Sequence, residues 1–172
     1  MLEKVVVMSR DQCVAAACGR PGAGIRLPGT FVLLQILGNE EGEFPCVPGA
    51  LQALRLRLDD VHEDTPGLRR HAGVERWPDH GINVTIAVMP GLTETVSMPG
   101  AEHAQEIAQF CEQAHRLDVP LTLVVHCLAG KSRSLAVAVA VSQRFGISLE
   151  QHTRATSKPN PRLLRLLQQA WN

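Results

Sequence analysis

Apolar residues along this chain fall into two patterns that alternate: short β-branched runs, and longer stretches with 3-and-4 spacing. Lys4–Met8 (KVVVM), Phe31–Leu37 (FVLLQIL) and Leu121–Val125 (LTLVV) are nearly unbroken apolar runs of strand length, the form taken by strands covered on both faces. Leu51–Leu58 (LQALRLRL) alternates apolar and polar toward its end, as a half-buried strand does, and Ile82–Val88 alternates likewise. Helical signals separate these runs. Ser9 can cap a helix over Asp11–Cys18, with Asp11 well placed in its first turn. Pro99-Gly100 opens a helix over Ala101–Arg116 whose Ala104, Ile107, Ala108, Cys111 and Ala114 share one face. Leu135–Phe145 is apolar as far as Val141, long enough for a buried helix, and Gly146 is a natural stop. Ser148 and Glu150 predict a short helix of about eight residues. Asn160-Pro161 forms a cap and first-turn pair for a last helix, Arg162–Ala170.

Glycine and proline punctuate the rest: residues 19–24, the acidic stretch Gly38–Gly49, and the turn Asp64-Thr65-Pro66-Gly67. Glu40, Glu41 and Glu43 read as a solvated face, and Cys46 has no evident role. Strands separated by helices predict an α/β fold with a central, mostly parallel sheet and helices on both faces. At 172 residues the chain reads as one domain, 1–172. A domain of that size buries roughly 70% of its extended-chain surface, so its core needs no staples.

Composition removes several functions. Seventeen basic and seventeen acidic residues give zero net charge, so no overall field draws nucleic acid. There is no Tyr and aromatic residues make up 3%, too few for base-stacking platforms. The five cysteines (Cys13, Cys18, Cys46, Cys111, Cys127) are odd in number, irregularly spaced and without a C-x-x-C pair. They predict a reducing, cytoplasmic compartment rather than a disulfide framework or a zinc site. The Val5–Met8 run is too short for a signal peptide, and Leu135–Val141 is too short to span a bilayer. His62, His71, His103, His115 and His152 lack metal-ligand spacing, so neither metal nor cofactor is expected.

The chemistry concentrates in His126-Cys127-Leu128-Ala129-Gly130-Lys131-Ser132-Arg133-Ser134, between a predicted strand and a predicted helix. A helix N-terminus offers unpaired N–H groups and the positive end of the dipole, so this loop is an anion site by position. If it wraps a tetrahedral anion, the amides of Leu128, Ala129, Gly130, Lys131, Ser132 and Arg133 point inward. Arg133, six positions after Cys127, can then grip two oxygens with its planar fork. At the base of the cradle Cys127 lies in a field that favours its thiolate, the nucleophilic form, poised to attack phosphorus and form a phosphocysteine. Ser134 can donate to the sulfur when it leaves. A competing reading takes Ala129-Gly130-Lys131-Ser132 as the second half of a nucleotide-binding P-loop. The first glycine of that motif would fall at Val125, whose branched side chain would strain it, so this reading ranks lower.

HCLAGKSRS resembles the H-C-x-x-G-x-x-R-S/T signature of the cysteine-dependent protein tyrosine phosphatases, and its A-G-x-S-R-S form is most similar to the dual-specificity branch. The resemblance implies that Cys127 is the nucleophile, Arg133 the phosphate clamp and His126 a tuner of the thiolate. It implies a phosphatase-like α/β domain acting on phosphoproteins or other phosphate monoesters. Phosphoinositide phosphatases of the same superfamily carry a Lys within the loop, as Lys131 is here, with a basic residue after the Cys where this chain has Leu128. Lipid or nucleotide phosphates are therefore alternative substrates. A phosphate-binding module with weak or no turnover is the alternative from another class.

Ester cleavage also needs a proton for the leaving oxygen. In the resembled family an Asp on a loop facing the cradle supplies it, and two places compete. Trp77-Pro78-Asp79-His80-Gly81 is identical in its letters to the acid loop of the receptor-like tyrosine phosphatases, but lies 48 residues before Cys127 with the 82–88 run between. Asp60 follows directly on a strand (LRLRLDD), as the acid does in the dual-specificity branch, and Asp59 is the same signal shifted by one. The lettering tips the choice to Asp79; topology favours Asp60. Arg69, Arg70 and Arg76 read first as solvated side chains, with the mouth of an anionic site as the second reading. The SKPNPR stretch, 157–162, is one whose spacing does not fix its place.

Overall fold

The computed structural model describes residues 1–19, 25–65, 77–89, 92–153 and 156–172. Five strands form one sheet: Leu2–Ser9 (β1), Phe31–Leu37 (β2), Ala53–Arg57 (β3), Leu121–Cys127 (β6) and Ser148–Gln151 (β7). Their order is β3-β2-β6-β1-β7, and every neighbouring pair is parallel. Asn83–Met89 (β4) and Leu92–Ser97 (β5) form a separate antiparallel hairpin. Four helices complete the described fold: Arg10–Ala17 (α1), Ala101–Arg116 (α2), Arg133–Phe145 (α3) and Pro161–Ala170 (α4). The expected α/β architecture with helices on both faces is what the chain adopts.

The unbroken apolar runs occupy the middle of the sheet because only there are both faces covered. Alternate residues of the same strands serve opposite faces. Val5, Val7, Leu34, Ile36, Leu123 and Val125 pack with α2, α3 and α4. Val6, Met8, Leu33 and Val124 pack with Cys13 of α1 and with Val47. At about 25 cal/mol per Å² of buried apolar surface, these two layers supply the main drive for folding.

Three sequence readings change. Ser148–Gln151 is an edge strand, not a helix: it pairs Lys4 with Ser148 through to Val7 with Gln151, and Lys4 Nζ meets Glu150 at 2.8 Å. Its polar letters suit a sheet edge, and Gly146, in the left-handed region at φ 64°, turns the chain onto that edge. β6 runs two residues beyond the predicted end, so His126 and Cys127 are ladder residues opposite Met8 and Ser9. The 82–88 alternation is half of a hairpin whose other strand, LTETVS, was not anticipated. Pro66 and Gly67 of the expected turn, Arg69, Arg70, His71, Arg76, Pro90, Gly91 and most of the 19–24 loop lie outside the described residues. Among the described residues no helix is long and apolar enough to cross a membrane.

Candidate active site

β6 lies at the centre of the sheet between β1 and β2. β1 feeds α1 on one face; β6 feeds α3 on the other. Helices leaving adjacent strands in opposite directions open a crevice at the strands' carboxyl ends, the usual ligand position in such sheets. Residues 128–132 fill that crevice. None of the hydrogen bonds among the described residues uses an N–H of residues 128–133 as donor. The turn depends on Gly130, at φ 67°, where a Cβ would lie 2.5 Å from the Met8 carbonyl oxygen. The loop is braced from outside. Arg10 N–H donates to Leu128 O at 3.1 Å, Thr153 Oγ1 to Gly130 O at 2.9 Å, and Asn160 N–H to Ser132 O at 3.2 Å.

Cys127 sits at the base with 2% of its surface exposed, and its Sγ lies 3.2 Å from Ser134 Oγ. Arg133, the first residue of α3, is 3% exposed. Its two Nη atoms donate to Leu58 O at 2.9 Å and to Glu41 Oε1 at 2.6 Å, whereas its buried Nε–H has no partner among the described residues. Burial disfavours the charged guanidinium, but the bond to Glu41, then the charges of Cys127 and Glu41, outweigh it and raise the pKa further. Glu41 is itself held by the Gly38 N–H, 2.7 Å from Oε2. It is therefore a structural partner of the clamp, and the solvated-face reading of this residue is corrected.

His126 is wholly buried beside the nucleophile, and burial lowers its pKa to about 4. Its tautomer follows from its neighbour across the ladder, Gln35. Gln35 Nε2 donates to Pro45 O and lies 3.0 Å from His126 Nε2, while Gln35 Oε1 accepts from Arg55 Nε at 2.9 Å. His126 Nε2 is then the acceptor and the ring proton sits on Nδ1.

The three aspartates separate. Asp60 reaches the cradle: its Oδ1 accepts from Ser132 Oγ at 2.7 Å and from Asn160 Nδ2 at 2.9 Å. Asp59 instead ties the loop after β2 to β5, accepting from Asn39 N–H at 3.1 Å and Ser97 N–H at 2.6 Å. Asp79 meets Arg165 of α4 at 3.0 Å with 60% of its side chain exposed, and its carbonyl accepts from Ala101 N–H at the start of α2. Of the two candidates for the acid, Asp60 is the one bonded to the cradle: the loop after β3 reaches it because β3 lies in the same parallel sheet as β6, while residues 77–80 are bonded to α2 and α4. Asn160, 1% exposed, ties the 157–162 stretch to the site; only its capping signal was legible beforehand.

A cleft of about 520 Å³ flanks the cradle, lined by Asp60, His62, Ser132, Lys158, Pro159 and Pro161. Among the described residues no group of three His, Cys, Asp or Glu side chains is placed to hold a metal. Compared with family models, curated proteins and solved structures, the chain finds no match. The arrangement itself offers a buried thiol, a buried guanidinium with a spare donor, loop amides without a protein acceptor among the described residues, and a carboxyl bonded to the loop. That set can bind a tetrahedral oxyanion and attack its central atom.

Proposed function

We propose that the chain is a phosphatase of the cysteine-dependent type, hydrolysing phosphate monoesters, phosphoproteins foremost, through a phosphocysteine. The observation that carries this reading is the buried, unpartnered Nε–H of Arg133 beside Cys127, in a loop whose amides have no protein acceptor. An unsatisfied buried charged donor is expensive, on the order of 1–3 kcal/mol, and a bound oxyanion removes that penalty.

In the first step Cys127 Sγ attacks phosphorus, the bond from phosphorus to the ester oxygen breaks, and that oxygen takes a proton. Asp60 is the donor: its Oδ1 is occupied by Ser132 and Asn160, and Oδ2 has no partner among the described residues, so it is the oxygen to carry the proton. In the second step water attacks phosphorus, Asp60 takes back a proton, and sulfur leaves with a hydrogen bond from Ser134 Oγ. Arg133 and the 128–133 amides hold the equatorial oxygens as charge shifts. Glu41 and Leu58 keep the guanidinium oriented. The five cysteines are free, which suits a reducing, cytoplasmic setting for a thiolate enzyme.

Hydrolysis of para-nitrophenyl phosphate by the purified protein tests the reading. Turnover lost by at least about a thousandfold in Cys127→Ser, and unchanged by chelator, is the expected result. Tight binding of a phosphopeptide with no phosphate released would instead make the chain a phosphate-reading module.

A further inference from the structure

The cleft beside the cradle has walls from three segments that are bonded to one another. Asn160 joins them: its N–H donates to Ser132 O and its Nδ2 to Asp60. Lys158 stands two residues earlier in Lys158-Pro159-Asn160-Pro161. A residue before proline is held extended, and Asn160 has ψ 115° accordingly. The Lys158 Cα therefore lies within about 7 Å of the Asn160 Cα on a stiff arm. Its ammonium is exposed and has no hydrogen bond or ion pair among the described residues.

The lining also includes His62. Its Nδ1 accepts from Asp64 N–H at 3.3 Å, so the neutral ring keeps its proton on Nε2 and acts there as a donor. Asp60 is the one carboxylate among the described lining residues, and its Oδ1 is already committed to two donors. Glu63, next along the loop, is held by Arg162 at 2.8 Å and Arg165 at 2.9 Å. What remains among the described lining residues is an exposed lysine on a stiff backbone arm and an N–H donor, beside the cradle.

We infer that this cleft is a second anion subsite, and that the preferred substrate is a phosphopeptide bearing another phosphate or carboxylate next to the phosphoryl group that is cleaved. The inference rests on the phosphatase reading for its substrate, but the subsite can be measured without turnover. A peptide fits better than a lipid surface. The net charge is zero, so no overall basic field draws the chain to an anionic membrane, and among the described residues no helix is long and apolar enough to cross one.

The test titrates the Cys127→Ser protein with phosphoserine peptides flanked by alanine, by glutamate or by a second phosphoserine, and with an inositol bisphosphate. Acid-flanked peptides are expected to bind about tenfold tighter than the alanine-flanked one, with the gap closing in about 0.5 M salt. Lys158→Ala should cut the ratio below about threefold, and Lys158→Glu should abolish it. Equal affinity for all peptides overturns the subsite, as does a preference that survives both Lys158→Glu and His62→Gln. Tighter binding of the inositol bisphosphate than of every peptide overturns the peptide assignment. Hydrolysis of para-nitrophenyl phosphate by the unsubstituted protein is scored separately. Flank preference without turnover keeps the subsite and sinks the phosphatase reading, and turnover without flank preference does the reverse.

Discussion

The loop after β3 and the segment 77–80 each carry an aspartate, each is tied to α4, and they touch one another through Val61 and Trp77. Their partners differ. Asp60 is bonded to Ser132 of the cradle and to the helix-capping Asn160, whereas Asp79 is bonded to the exposed Arg165. Arg162, 1% exposed, draws 77–80 inward by donating to the carbonyls of Pro78 and His80 while also binding Glu63 and Pro99 O. Trp77 shares a small apolar cluster with Val61, the residue after Asp60, and with Val96 and Met98. One region is thus bonded to the cradle, and the other to α2 and α4. Membership in the parallel sheet, not lettering, decides which aspartate is bonded to the 128–133 loop.

The sharpest way to break this contrast is to neutralise each carboxylate. Asp60→Asn should lower kcat on a phosphoserine peptide by about 10²–10⁴-fold and affect para-nitrophenyl phosphate far less, because that leaving group needs no proton. Asp79→Asn should stay within about threefold on both substrates; the opposite pattern would reverse the assignment. Next, Arg162→Met should cost about 3–5 kcal/mol of folding stability, since it leaves Glu63 and several carbonyls without their buried donor. Chemical denaturation measures the loss, and kcat on para-nitrophenyl phosphate in the folded fraction should persist.

A smaller effect comes from pH. His126 has its pKa lowered by burial from 6.5 to about 4, so the unfolded chain takes up its proton first. Stability should therefore decline as pH falls from about 6.5 toward 4, by up to about 3 kcal/mol. The decline should flatten in His126→Gln. The least effect belongs to Glu63. Burial raises its pKa, but its own backbone N–H, Arg165 and Arg162 together lower it below the ordinary carboxylate value of 4.5. Its contribution is complete above that pH and is lost as pH falls through the lowered value. Glu63→Gln should remove this last acid step and leave the His126 step in place.

Much of this was legible because local and global signals agreed. The apolar runs at 4–8, 31–37 and 121–125 had to be buried strands, and the residues flanking the third could only form a strand-to-helix turn. Cys127, Arg133 and Ser134 were readable from spacing within that turn. What was hidden depends on pairing at a distance. Glu41 reaches Arg133 across 92 residues, and nothing within its acidic, glycine-rich stretch marks one glutamate among three. Gln35 sits in an otherwise apolar run, where a single buried polar letter was the available hint of the His126 contact. β7 was misread because Ser148 and Glu150 spell a helix start as readily as a polar sheet edge, and only the open side of β1 decides between them.

The bracing of the cradle has a consequence for synthesis. Its contacts come from Met8 and Arg10 near the start of the chain and from Thr153 and Asn160 near the far end. The sulfur emerges from the ribosome well before the last of these supports. A nascent or prematurely terminated chain ending short of residue 160 therefore displays the thiol without its finished seat. The finished seat should form only once α4 and its capping Asn160 have docked.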